Sequence, residues 1–146
     1  MSAYLRQQPQ ITLKLAMQAL QAALEQAEFR GLRVSIAVVD AGGQPIHSAH
    51  MDGAPAPCRE IALNKARTAV AFNLPTGDWQ ARLERCSPAV RQGLPLQAGL
   101  ALFGGGEPLR LGDVAIGAIG VSGASETDDT RCAQAAAERV RQLLAS

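Results

Sequence analysis

A chain of 146 residues, 47% hydrophobic and 18% charged, can bury a full core and reads as one domain spanning 1–146 rather than a disordered segment. A net charge of +1 and an aromatic content of 3% leave neither the basic stripe nor the stacking platforms of a nucleic-acid binder. Met1 to Gln10 holds no apolar run of a secretory leader, and no segment approaches a membrane span. Cys58, Cys86 and Cys132 lack metal-type spacing and suit reduced thiols in a cytoplasmic protein.

The spacing of Leu13, Ala16, Met17, Leu20, Leu24 and Ala27 predicts a helix from Thr12, a plausible cap, to about Arg30, with Gly31 as its C′ glycine. The β-branched run Val34–Val39 predicts a strand, Asp40–Gly43 a turn, and Gln44–Met51 the returning strand of a hairpin. Asp52-Gly53 breaks that strand. A second helix is expected from about Pro57 to Phe72, ending ahead of Pro75. Thr76 can cap a short helix through Trp79 and Leu83, and Ser87–Gln97, rich in Pro and Gly, is expected as a loop. Short strands follow at Leu100–Phe103, Pro108–Leu111 and Val114–Val121. A loop at Ser122–Thr127 leads to a closing helix from Asp128 to Leu144, with Cys132, Ala136 and Val140 inward. Hairpins grouped about a helix predict an α/β (α+β) protein, a five-stranded antiparallel sheet covered by helices.

Lys65 is the first candidate for chemistry. At about 100° per residue, Cys58, Ile61, Ala69 and Phe72 fall within roughly 40° of it, and Leu63, Ala66 and Val70 form a second apolar side. Such a helix calls for the sheet on one side and a partner subunit on the other. Desolvation there lowers a lysine's pKa and suits a base or imine former. The alternative is a packed stem whose head reaches an edge carboxylate. Glu60 and Asn64, one turn apart, either line a site with Lys65 at its rim, or Glu60 merely favours the helix dipole.

His47 and His50 both lie on the second predicted strand, and a spacing of three points them to opposite faces, so a regular strand cannot join them on one metal. Each is a separate candidate axial haem ligand or a plain surface histidine. His50 is the better placed, beside Met51, Asp52 and Gly53 at the strand end. Gly104, Gly105 and Gly106 either offer backbone N–H groups to an anion or form a mobile turn. No Gly-x-Ser-x-Gly or Ser-x-x-Lys motif accompanies them, so hydrolase chemistry has no support. Gly117, Gly120 and Gly123 depart from the dinucleotide fingerprint, and the acidic start of the next helix would repel a phosphate. Asp128 either complements that helix dipole or reaches a pocket beside Gly104.

Taken together, Ser35–Gly43, Met51-Asp52-Gly53-Ala54-Pro55, Lys65–Ala69, Phe103–Leu109, Gly117–Gly123 and Asp128 resemble the GlcG/HbpS-like family of small haem-binding and haem-degrading-domain proteins. The likeness spans nearly the whole chain. It implies a profilin-like, three-layer α/β/α fold assembled as a homo-oligomer, with a small molecule as the other partner and neither nucleic acid nor membrane. Some members bind haem or related tetrapyrroles; others act on small metabolites. The family pattern carries arginine where this chain has His50, which means an added iron ligand or a lost anion contact.

Two functions stay open. The first is a binding protein that holds haem or another flat, carboxylated ligand between subunits. His50 or His47 would meet iron, and Asp52, Gly53, Asn64 and Gly104–Gly106 would line the pocket. The second is an enzyme of lyase, deaminase or isomerase type. Lys65 would be its base, Glu60 or Asp128 its acid partner, and the Gly104–Gly106 amides would hold a developing oxyanion.

Overall fold

The computed structural model describes residues 2–146. Helix α1, Leu13–Phe29, begins where Thr12 Oγ1 accepts the Leu15 N–H at 3.2 Å and presents buried Ala16, Ala19, Ala23 and Ala27 along one stripe. The hairpin follows as β1, Ser35–Asp40, and β2, Pro45–His50; Asp40 Oδ1 accepts from Gly42 and Gln44 in the turn. Helix α2, Cys58–Phe72, ends on Asn73 in the left-handed region at φ 48°. A 3-10 turn at Thr76–Asp78 leads into α3, Trp79–Glu84, then α4, Pro88–Gly93, and a second 3-10 turn at Leu94–Leu96. Strands β3, Gly106–Leu111, and β4, Val114–Ser122, precede α5, Glu126–Ala145.

The protein is thus mixed α/β, and the four strands form one antiparallel sheet in the order β2-β1-β4-β3. The fifth expected strand, Leu100–Phe103, does not form. Its backbone groups bond to helix side chains instead: Ala101 N–H donates to Thr68 Oγ1 at 3.0 Å, and the following Gly104 N–H donates to Glu126 Oε1 at 2.6 Å. The second edge of β4 is taken by Gly106–Leu111, and the earlier segment is satisfied by these side-chain bonds rather than by a ladder. The Ser87–Gln97 stretch is helical over Pro88–Gly93, because Ser87 Oγ accepts the Val90 N–H and Pro88 suits the first turn. Helix α5 starts two residues early, at Glu126, with Ser125 Oγ accepting from Asp128 N–H.

Two cores hold the elements. Ile36, Val38, Leu109, Ile119 and Val121 share one with the alanine stripe of α1 and with Cys132, Ala133, Ala136 and Val140 of α5. Val39, Ala115 and Ala118 share the other with Ala66, Ala69 and Val70 of α2. The glycine periodicity of β4 is explained by this packing. A Cβ on Gly120 would collide with the Ala62 carbonyl of α2, and one on Gly117 would lie 2.5 Å from the Val39 carbonyl oxygen. These glycines let backbone meet backbone; they do not cradle a ligand. Among the described residues, no helix is long and apolar enough to cross a membrane.

Candidate functional site

The register of β2 fixes its two histidines. His47 pairs with Val38 and so shares the face packed by α1 and α5, whereas His50 pairs with Ser35 on the face that α2 covers. His50 Nε2 lies 3.0 Å from the Ala54 carbonyl oxygen. A carbonyl only accepts, so Nε2 is the donor in this contact, and in the tautomer that this selects the lone pair falls on Nδ1. That Nδ1 atom is buried with no hydrogen-bond partner. The Met51–Ala54 turn that supplies the carbonyl is closed by Ala54 N–H donating to Met51 O at 3.0 Å and by Gly53 at φ +82°.

Two clefts meet at His50. One, of 390 Å³, lies between β1, β2 and the first turns of α2, with Ser35, Ser48, Arg59 and Glu60 among its walls. The other, of 630 Å³, runs beside the Met51–Asp52 turn and the end of α1, with Glu28, Arg33 and Asp52. His50, Asp52 and Glu60 are therefore brought to one region, and each cleft contains an arginine. Gly53 packs against Arg33, whose Nη1 would lie 3.0 Å from a Cβ at that position.

Lys65 belongs to a separate cluster and lines neither cleft. It is 2% exposed; Nζ donates to the Val121 carbonyl at 2.9 Å and pairs with Asp129 Oδ2 at 3.2 Å. Burial pulls the lysine below its usual range, while the Asp129 charge opposes that shift. Burial likewise raises Asp129, against the pull of Lys65 and the Ala124 N–H. Phe103 lies over the amine, its ring centroid 5.0 Å from Nζ. Gly105, at φ +127°, presses on the pair: a Cβ there would sit 2.5 Å from the Val121 carbonyl oxygen and 2.7 Å from Lys65 Nζ. The neighbouring amides are occupied, Gly104 N–H by Glu126 and Gly106 N–H by Thr76 Oγ1 at 2.8 Å. Asn64 Oδ1 is buried without a partner and lies in neither cleft. Asp128 faces solvent and pairs with Arg131 at 3.4 Å.

The residue that meets Lys65 is thus Asp129, which the sequence reading passed over in favour of its neighbour. The signal was present: Asp129 stands three and four residues before Cys132 and Ala133, on the inward stripe of α5. Arg33 and Arg59 carried no sequence signal. Glu107 was also missed. On β3 it pairs with Ile119 of β4, is 8% exposed, and is pushed up to about 7 by burial and by Asp78. Burial raises the Cys132 thiol to about 11, leaving it inert. Among the described residues, no group of three His, Cys, Asp or Glu side chains is arranged for a metal ion.

Comparison with known proteins gives four concordant results. Residues 11–138 match the family described as haem degrading protein HbpS-like. A 15.0 kDa protein encoded between dhaT and dhaS in Citrobacter freundii is 32% identical over 91% of this chain and 94% of its own. Among solved structures, a double mutant of Streptomyces reticuli HbpS superposes with a TM-score of 0.83 at 35% identity, covering 94% of this chain and 92% of that one. PduOC, solved as a haem complex, superposes with a TM-score of 0.80 at 29% identity, over 89% of this chain and 94% of that one.

Proposed function

Because the chain belongs to the haem degrading protein HbpS-like family, we propose that it binds haem or a related flat, carboxylated tetrapyrrole, with His50 as the iron ligand. The observation that carries this reading is the state of the His50 ring. A ligating histidine ordinarily donates its second N–H to a carbonyl or carboxylate, which fixes the tautomer and orients the ring. His50 already makes that bond to Ala54, and its other nitrogen is left as an unpartnered lone pair. A buried nitrogen without a partner costs about 1–3 kcal/mol, a cost that a metal–nitrogen bond would remove. Since Nδ1 is enclosed, binding requires the groups around it to move aside while the Ala54 bond is kept. Arg33 and Arg59, one in each cleft, suit the carboxylates of such a ligand. When bound, haem would supply the iron; the chain itself orients the imidazole and meets the acidic edge.

On this reading the profilin-like arrangement has α1 and α5 as one layer and α2 as the other, and the ligand lies where a second subunit closes over the His50 clefts. The three free cysteines suit a reducing, cytoplasmic setting. Acid–base catalysis by Lys65 would require its buried pair to open, since it lines neither cleft.

The test is a haemin titration followed at the Soret band. Saturable, stoichiometric binding is expected, with His50→Ala losing affinity at least tenfold and changing the spectrum, and His47→Ala binding like the unmodified protein. Unsaturable binding indifferent to both substitutions would overturn the proposal.

A further inference from the structure

Glu107 lies on β3, an edge strand of the sheet, beside the second half of α5, and is 8% exposed. Among the described residues it forms no ion pair, and its carboxyl accepts no hydrogen bond. A carboxyl withdrawn from water is ordinarily paired or bonded, because desolvation otherwise penalises its charge. Glu107 instead lines a cavity of 630 Å³ between β3, the Gly112-Asp113 turn and α5.

The arginines of that cavity are already engaged. Arg110 donates from Nε to Asn73 Oδ1 at 2.8 Å and from Nη2 to the Asn73 carbonyl at 3.0 Å, and Arg141 is paired with Glu138. Two carboxyls are not engaged. Asp113 is bonded only through its backbone carbonyl, which accepts from Asn73 Nδ2 at 2.9 Å, and Glu107 has no partner at all among the described residues. What the cavity leaves open is therefore acceptor capacity of negative sign. Asp78, in the 3-10 turn before α3, adds to that sign. Burial first and Asp78 next push Glu107 up to about 7, while Arg110 and Arg141 pull it down. Surroundings that hold a proton on Glu107 also favour a cation in the proton's place. Among the described residues, no three His, Cys, Asp or Glu side chains are grouped for a metal ion. An ammonium, with three N–H donors on an apolar stem, suits the donor set better. Pro108 and Ala137 supply apolar wall for such a stem.

We propose that this cavity binds a small organic amine, with its ammonium on the Glu107 carboxylate and its methylenes along Pro108 and Ala137. Asp113 offers a second carboxylate to a diamine. Only ionised Glu107 pairs with the ligand, so binding displaces the proton that the empty site holds at acid pH. No residue of this cavity lines the His50 clefts, and the assignment stands whether or not haem binds there.

Isothermal titration calorimetry with butylamine and butane-1,4-diamine as probes tests this. Both stay charged between pH 6 and pH 8, as lysine does. Saturable one-to-one binding is expected, tighter at pH 8 than at pH 6 by about tenfold, the ratio of ionised Glu107 at those two values. At pH 6, in buffers of different ionisation heat, binding should release about one proton per ligand. Glu107→Gln should weaken binding at pH 8 by at least roughly tenfold and abolish its pH dependence. Gln134→Lys, at an exposed position of the cavity wall, should weaken it as much by placing a resident ammonium there, and it leaves the core untouched should Glu107→Gln fail to fold. Neither probe saturating in the millimolar range at pH 8, proton uptake in place of release, binding that either substitution leaves unchanged, or succinate bound in preference to the diamine would each overturn the proposal.

Discussion

Among the described residues Lys65 is the only cation paired with Asp129, and Lys65→Met removes it while keeping much of the stem's volume. Nζ makes two hydrogen bonds, to the Val121 carbonyl and to Asp129 Oδ2, and both are lost. Asp129 keeps the Ala124 N–H on Oδ1 at 3.0 Å but is left as a buried carboxylate without a counter-charge. Breaking a buried pair from one side costs about 3–5 kcal/mol, whereas neutralising both members is far less damaging. Lys65→Met should therefore lose about that much, and Lys65→Met/Asp129→Asn should recover to within roughly 2 kcal/mol of the unmodified protein. Burial already raises Asp129, and removing the lysine raises it further. The folded variant then holds that proton more tightly than the unfolded chain. Its stability is greatest below the ordinary aspartate range and falls as pH rises toward the folded value. The assay is urea unfolding at pH 5 and pH 8, read from the fluorescence of Trp79, the single tryptophan and 2% exposed. A cost below about 1 kcal/mol, or a double variant no more stable than the single one, would refute the reasoning from counter-charge.

Glu107 gives a second pH signature. Burial first, and Asp78 next, raise its carboxyl from 4.5 to about 7, so the protein should lose roughly 3 kcal/mol of stability as pH rises through that window and then level off. Glu107→Gln should flatten the profile; an unaltered slope means that another group is responsible. Gly120→Ala drives a methyl into the Ala62 carbonyl, and backbone cannot move aside as a side chain can. A loss of about 3 kcal/mol, or failure to fold, is expected by thermal melting. Gly93→Ala, in α4 with open space around it, should be neutral or stabilising by under about 1 kcal/mol, and equal costs at the two glycines would contradict the packing argument.

Local chemistry was legible where it acts alone. Thr12 as cap, the alanine and leucine periodicity of α1, the Asp40–Gly43 turn and the end of α2 before Pro75 all stand in the sequence because each depends on near neighbours. The opposed histidines followed from the two-residue period of a strand. Errors arose where distant partners decide. Leu100–Phe103 has a strand-like composition, but the groups that satisfy this region, Thr68 and Glu126, lie far away in the chain. The glycines at Gly104–Gly106 looked like anion donors because the sequence does not reveal that Glu126 and Thr76 occupy two of those amides. Asp128 and Asp129 differ by one position on a helix, about 100° of rotation. That separates a surface pair with Arg131 from the counter-charge of a buried lysine.

The place of β2 in the sheet bears on how such a protein changes over evolutionary time. Strand β4 is buried from Ala115 to Ser122 between β1 and β3, with backbone contacts that admit no added atom at Gly117 or Gly120. Strand β2 has one neighbour, β1, and its residues are exposed or half-buried throughout. A substitution there perturbs a single ladder and a hydrated face, so it is tolerated where one on β4 is not. His47 and His50 thus sit on the most replaceable strand of a rigid chassis. If His50 is the ligand site proposed above, rewriting β2 alone would change what the protein binds, while substitutions in β4 would first cost the fold.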